Sequence, residues 1–251
     1  MNIMGYIPTV SIIIATFNAE SSIKKALDSV LNQSIKNWEC VVVDGLSKDS
    51  TCDIANSYAK KDIRFKVKRE DDNGVYDAFN KGWRMAQGEW IYYLGADDEL
   101  LPDGLEALLK YAEGVDLVYG GIRRKYRSGR TKDSQPSYWE KELPFSLPAS
   151  HQAIIMKRNF IERMGGFNLN YHILADYDLM VHAYSEGIGV NRCNAIIAVF
   201  SLGGMSTDSF KSLPERYRVL VSYGVSKIKA FIHILRVAVF FSVLKIKHRF
   251  D

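Results

Sequence analysis

The residues of this 251-residue chain best suited to chemistry are carboxylates, and they gather in four short stretches. Asp97 and Asp98 stand together in Gly95-Ala96-Asp97-Asp98-Glu99, directly behind an apolar run. Adjacent carboxylates repel one another unless water or a cation neutralises them. Hard divalent ions such as Mg2+ or Mn2+ take one or two carboxylates and complete their shell with water and substrate phosphates. A solvated turn is the plainer alternative. Asp44 closes the run Glu39-Cys40-Val41-Val42-Val43 and leads into Gly45-Leu46-Ser47. A carboxylate there can accept hydrogen bonds from a nucleobase or ribose, or it can organise the turn through backbone N–H groups. Asp77, Asn80 and Lys81 follow Gly74 at the i, i+3, i+4 spacing of one helical face, and Gly74 permits close backbone approach. That face suits a polar ligand, or is simply solvated. In the fourth stretch, Asp176 and Asp178, one residue can cap a helix N-terminus while the other acts as a general base.

Several chemistries are excluded. The chain has no G-x-x-x-x-G-K-S/T phosphate loop and no G-x-G-x-x-G after its first apolar run. It has neither a G-x-S-x-G elbow nor H-E-x-x-H. The five histidines (His151, His172, His182, His233, His248) lack metal-ligand spacing. The three cysteines (Cys40, Cys52, Cys193) form no C-x-x-C pair, so they read as reduced packing residues. A hydrophobic share of 47% with 25% charged residues describes a globular chain.

The elements that would hold these carboxylates follow from periodicity. Residues 10–15 and 39–43 are continuous β-branched runs, the pattern of strands buried on both faces of a parallel sheet. Residues 64–68, 90–94 and 116–119 read as three more strands. Helical spacing marks 21–33, about 50–61, 76–87 and 101–112. Repeated β-α-β-α over the first 120 residues predicts an α/β, Rossmann-like, mostly parallel central sheet flanked by helices. Ligands of such sheets bind beyond the C-terminal ends of the strands, where Thr16, Asn18, Asp44, Asp97 and Asp98 fall. Further on, 123–132 reads as a basic loop or hairpin, 154–156 as a short strand, and 159–164 and 178–186 as helices.

Taken together, VSIIIATFNAESSIKKALDSVLNQS, ECVVVDGLSKDST, DDNGVYDAFNKGW, GEWIYYLGADDELLPDGL, SHQAIIMKRNFIERMGGFN, ILADYDLM and LGGMS resemble the family 2 glycosyltransferases of GT-A fold, more narrowly the bacterial transferases of O-antigen, capsule or exopolysaccharide assembly. The stretches cover roughly residues 8–206. The resemblance implies an inverting, metal-dependent transfer of a sugar from a nucleotide-sugar, most often a UDP-sugar, to a hydroxyl of a glycan acceptor. It implies that Thr16, Asn18 and Glu20 line the nucleotide pocket, that Asp44 binds the base, and that Gly74, Asn80 and Lys81 face the donor. Asp97 would lie toward the ribose or sugar and Asp98 on the metal, Mn2+ or Mg2+. Asp176 would be the catalytic base, with His151 and Gln152 on the acceptor side. A non-catalytic nucleotide-sugar-binding module and a nucleotidyltransferase of related fold are the competing readings.

Residues 1–210 are expected to form the GT-A domain, with 1–120 the nucleotide-sugar-binding half and 121–210 the acceptor-side half. Residues 211–251 form a basic tail. They hold nine Lys or Arg against two acids, a net of +7 in a chain whose total is +4, so the body is slightly acidic. From about 214 to 249 the tail reads as helical. Its apolar run is interrupted by Lys229, His233, Arg236 and Lys245, which rules out a spanning helix. A helix lying in a membrane interface is expected, with cations toward lipid headgroups. Packing on the body or in a homodimer interface is the alternative. With no secretory signal at residues 1–8, the expected location is the cytoplasm, peripheral to the inner face of the cell membrane, serving a lipid-linked acceptor. No nucleic-acid partner is expected.

Overall fold

A computed structural model of the chain describes residues 7–201 and 210–247. The expected LGGMS stretch lies outside them. The first half alternates as its hydrophobic pattern requires: β1 (Val10–Thr16), α1 (Ile23–Leu31), β2 (Trp38–Asp44), α2 (Thr51–Ala59), β3 (Phe65–Arg69), α3 (Val75–Met85) and β4 (Trp90–Gly95). These strands lie parallel in the order β3-β2-β1-β4. β1 and β2 bury nearly every side chain because helices cover both faces. Ile12 and Ile14 join the α1 side of the core, and Ile13 joins Phe79 and Trp83 of α3 on the other. Gly82 makes that second packing possible: a Cβ there would lie 2.3 Å from Ile13 Cγ2.

The second half widens the sheet and ends its parallel run. β5 (Glu99–Leu100), α4 (Gly104–Leu109), β6 (Leu117–Lys125), β7 (Thr131–Ser134) and α5 (Trp139–Glu142) come first. A single 3-10 turn (His151–Ala153), β8 (Ile154–Lys157), α6 (Arg158–Met164), α7 (Ala175–Ser185) and β9 (Val190–Ser201) follow. β8 inserts antiparallel between β4 and β6, β9 runs parallel to β6, and β5 pairs antiparallel with β9. The basic segment at 123–132 is a hairpin, with β7 returning along β6. α7 begins three residues before the expected start, which puts Asp176 in its first turn.

The expected tail is two helices in different surroundings. α8 (Leu213–Ser222) packs on the body with Val219 and Leu220 fully buried. α9 (Lys227–Lys247) buries Ala230 but leaves Ile228, Phe231, Ile232, Leu235, Val239, Phe240 and Val243 exposed. Among the described residues, no helix is long and apolar enough to cross a membrane.

Candidate active site

Strand register sets the rim on which the site is built. Thr16 stands opposite Asp44, and Ala15 opposite Gly95, so β2, β1 and β4 end level with one another. Two inter-strand spacings, about 10 Å, separate the end of β2 from that of β4. Asp98 follows in a tight turn in which its N–H donates to Gly95 O (3.1 Å). Pairing of β5 with β9 then brings Ser201 to the same place. The Ser201 N–H donates to Asp98 Oδ1 (2.9 Å) and its hydroxyl to Asp97 O (2.8 Å).

The turn before β8 joins Asp98 to Asp176. Gln152 donates from Nε2 to Asp98 Oδ2 (3.0 Å), while His151 Nδ1 lies 3.3 Å from Asp176 Oδ2. Gln152 is itself held, since Ser150 Oγ donates to its Oε1 (2.8 Å) and the Tyr92 hydroxyl to its carbonyl. Asp176 also accepts from the Tyr76 hydroxyl (3.1 Å) and from the Tyr177 N–H (2.8 Å). The two carboxylates are tuned in opposite directions. Burial pushes Asp98 up to about 6, with Asp97 adding to the effect, against the bonds from Ser201 and Gln152 and the attraction of His151. Burial would raise Asp176 as well, yet the His151, Tyr177 and Tyr76 bonds together hold it below the ordinary carboxylate value. Asp178, in contrast, is buried away from this pair and raised by that burial, with Asn168 and Tyr223 as partners. Of the two acids in this stretch, only Asp176 belongs to the cluster.

The expected nucleotide side is well ordered, though several of its residues are engaged with one another. Asp44 is fully buried. It accepts from the Ser47 N–H (3.0 Å) and hydroxyl, and Arg69 Nε lies 3.5 Å away. The turn-organising alternative is therefore met. Asn18 (φ 49°) accepts from the Lys48 N–H (2.9 Å), and Glu20 accepts from the Ser50 N–H (3.0 Å), so both tie the loop after β1 to the loop after β2. Thr16 Oγ1 is buried at the rim with no hydrogen-bond partner among the described residues, a hydroxyl still able to serve a ligand. Gly74 (φ 103°) precedes α3, and a Cβ there would meet nothing within 4 Å. Lys81 pairs with Asp77 (3.2 Å) and reaches the Asp71 carbonyl. Asn80 is turned inward: its amide donates to Phe167 O (2.8 Å) and accepts from the Phe167 N–H (2.8 Å) and Trp83 Nε1 (3.1 Å). The single-face pattern of Asp77, Asn80 and Lys81 thus divides between surface and interior.

Donor chemistry around Asp98 fits a hard divalent ion. Among the described residues no three His, Cys, Asp or Glu side chains cluster as a self-sufficient metal cage. An ion completed by substrate phosphates needs only one or two carboxylates. Gly95 lets both carboxylates lie close against the strand end, because a Cβ there would lie 2.5 Å from Asp98 Oδ2 and 3.1 Å from Asp97 Oδ1. Tyr76, Ser201 and Arg69 reach the site without a motif that marks them, Tyr76 alone lying within a family-like stretch, DDNGVYDAFNKGW.

Comparison with known proteins fits this geometry. The model described as Glycosyl transferase family 2 matches residues 11–172. A PGL/p-HBAD biosynthesis glycosyltransferase of Mycobacterium bovis (strain BCG / Pasteur 1173P2) is 35% identical over 227 residues, 84% of this chain and 86% of the relative. Among solved structures, S. aureus TarS 1-349 in complex with UDP-GlcNAc is similar at a TM-score of 0.68 and 17% identity, over 92% of this chain and 71% of that one. The mannosyltransferase PcManGT from Pyrobaculum calidifontis, in complex with GDP-Man and Mn2+, is similar at 0.65 and 20%, over 92% and 69%. At such identities the likeness to the two structures is one of fold.

Proposed function

Since this chain belongs to glycosyl transferase family 2, we propose that it moves a sugar from a UDP-sugar to a hydroxyl of a lipid-linked glycan acceptor, inverting the anomeric carbon, in the building of a bacterial surface polysaccharide. One observation carries the reading: neighbouring side chains of one turn, His151 and Gln152, grip Asp176 and Asp98 respectively. The two carboxylates that this reading takes as proton acceptor and diphosphate-side ligand are thereby linked through one turn.

The residues divide the work. An acceptor hydroxyl is a weak nucleophile, and Asp176, held ionised by its hydrogen bonds, takes its proton as the new bond to the anomeric carbon forms. The bond from that carbon to the diphosphate breaks in the same displacement, which inverts the configuration. Asp98 would hold a Mn2+ or Mg2+ ion, which supplies Lewis-acid stabilisation of charge on the departing diphosphate, with Asp97 toward the ribose or sugar. Thr16 and Asp44 border the nucleoside end, and His151 orients Asp176 toward the acceptor side.

Exposed apolar side chains of α9 support the site's placement at the inner face of the cell membrane. Ile228, Ile232, Leu235, Val239 and Val243 line one stripe at about 100° per residue. Lys229 and Arg236 flank it on one edge and Lys227 on the other. Such a helix seats its apolar stripe in the lipid interface with cations at the headgroups.

A panel of UDP-GlcNAc, UDP-glucose and GDP-mannose, assayed with Mn2+ for release of the nucleoside diphosphate, tests the enzyme reading. Turnover should vanish in EDTA, and Asp98→Asn and Asp176→Asn should lose it with little change in Tm. Undiminished turnover in EDTA would remove the metal, and full activity of Asp176→Asn would remove the base.

A further inference from the structure

We infer that Glu215, on a helix beyond the family-matched segment, is a positioning residue for Asp176; the inference rests on the reading of Asp176 as base. The matched segment ends at residue 172. Glu215 lies in the first turn of α8, 39 positions after Asp176, yet its carboxylate is buried against the turn that leads into α7. Oε1 accepts from the His172 N–H (2.9 Å), and Oε2 accepts from the N–H groups of Ile173 (3.0 Å) and Leu174 (2.9 Å). Three consecutive backbone donors are therefore satisfied by one side chain. Neighbouring N–H groups converging on an anion leave the backbone little freedom, because rotation of any one peptide unmakes a charge-assisted bond.

The other side of the same turn is held from the cleft. The Tyr76 hydroxyl lies 2.8 Å from Ile173 O and 3.1 Å from Asp176 Oδ1. Glu215 thus fixes the N–H edge of the peptides at 172–174, and Tyr76 fixes a carbonyl edge together with the base itself. Asp176 follows two residues later in the first helical turn, so its carboxylate inherits the orientation of that turn. α8 is anchored independently of the cleft: Val219 and Leu220 are fully buried, Arg216 Nη1 donates to Phe145 O (3.2 Å), and the Arg216 guanidinium lies 4.6 Å from the centre of the Tyr177 ring. Glu215 therefore transmits a rigid position to the base without touching substrate.

Glu215→Gln in the full chain tests this, because it keeps the shape but sets an NH2 group against backbone donors that need an acceptor. With the fastest donor of the UDP-GlcNAc, UDP-glucose and GDP-mannose panel, kcat should fall by about a hundredfold, the effect of a reacting group displaced by about 1 Å, while the donor KM stays within about twofold. Amide hydrogen exchange at residues 172–174 should quicken. Should the Gln variant not fold, Glu215→Asp, which retains the charge but draws it back by one methylene, carries the same measurements. A folded variant with wild-type kcat, or with unchanged exchange at 172–174, overturns the positioning role while Asp176→Asn stays inactive. An active Asp176→Asn instead overturns the base reading and this inference with it.

Discussion

Two carboxylates near one imidazole carry opposite perturbations, and this difference suits the tasks proposed for them. Asp176 is held below the ordinary carboxylate value despite burial, so it stays ionised as pH falls through 3.8. Removing His151 removes a bond and a charge that favour the ionised form and leaves burial to raise the group. With saturating Mn2+, His151→Ala should therefore shift the acid limb of the pH–rate profile to higher pH and lower kcat by about tenfold or more; an unmoved limb would mean that the pair does not tune the base. Asp178 gives the complementary test through stability. Its folded pKa is raised, so the folded state binds the proton more tightly than the unfolded one, and the associated stability, full below 3.8, is lost as pH rises through the folded value. Asp178→Asn should flatten that loss and raise Tm at pH 7 by about 2–4 °C for each kcal/mol recovered, as calorimetry across pH 4–7 would measure. By position alone Asp176 and Asp178 are equivalent, both at the start of an apolar segment, and only the family resemblance singled out Asp176. In the structure His151 and Tyr76 bond Asp176, whereas Asn168 and Tyr223 bond Asp178.

At the scale of elements, α3 shows how one helix serves both the fold and the site. Gly82 seats it against Ile13, Tyr76 reaches from its first turn to Asp176, and Asn80 clamps Phe167 just before the loop to α7. Asn80→Ala would strand the Phe167 N–H and C=O and the Trp83 Nε1–H in a buried setting, a destabilisation of about 2–4 kcal/mol. Denaturant unfolding should register that loss while donor KM hardly changes. A raised donor KM at unaltered stability would place Asn80 on the donor after all. β1, β2 and β4 were legible because helices on both faces demand unbroken apolar side chains, and β3, the start of β6 and β8 were legible as shorter strand-like runs at 64–68, 116–119 and 154–156. β9 was illegible for the converse reason: Asn191, Arg192 and Asn194 interrupt it, and it is held by β6 and β5 from far along the chain, with a register shift near Gly121. β5 has two residues and no pattern to read. The same non-locality hid Ser201 and Glu215, whose partners lie 103 and 41–43 positions away. The acidic motifs were readable because each sits at a strand end or helix start that periodicity itself locates.

Over the whole molecule, positive charge is concentrated toward the C-terminal end of the sequence. The net +7 of residues 211–251 was visible in composition, but the point where body gives way to surface helix was not, since α8 and α9 are both apolar and basic. A cut after Pro214 would remove Glu215 along with the surface helix and so confound two effects. A cut after Ser226 removes α9 alone, apart from the contacts its inner face makes with the body, such as the Phe145 and His233 rings 5.1 Å apart. The protein ending at Ser226 should keep its turnover yet fail to sediment with vesicles of mixed phosphatidylcholine and phosphatidylglycerol, whereas the full chain sediments. Each Lys or Arg near an anionic surface contributes about 1 kcal/mol, and that part is screened by salt over a Debye length of about 8 Å at 0.15 M. Binding of the full chain should therefore weaken as salt rises without disappearing, because burial of the apolar stripe does not depend on ionic strength. Leu235→Glu with Val239→Glu, both at exposed positions, should abolish binding in the intact chain at unchanged Tm. If those substitutions instead dissociate a dimer and leave vesicle binding intact, the stripe is a contact between copies of the chain, and the lipid surface must be met elsewhere.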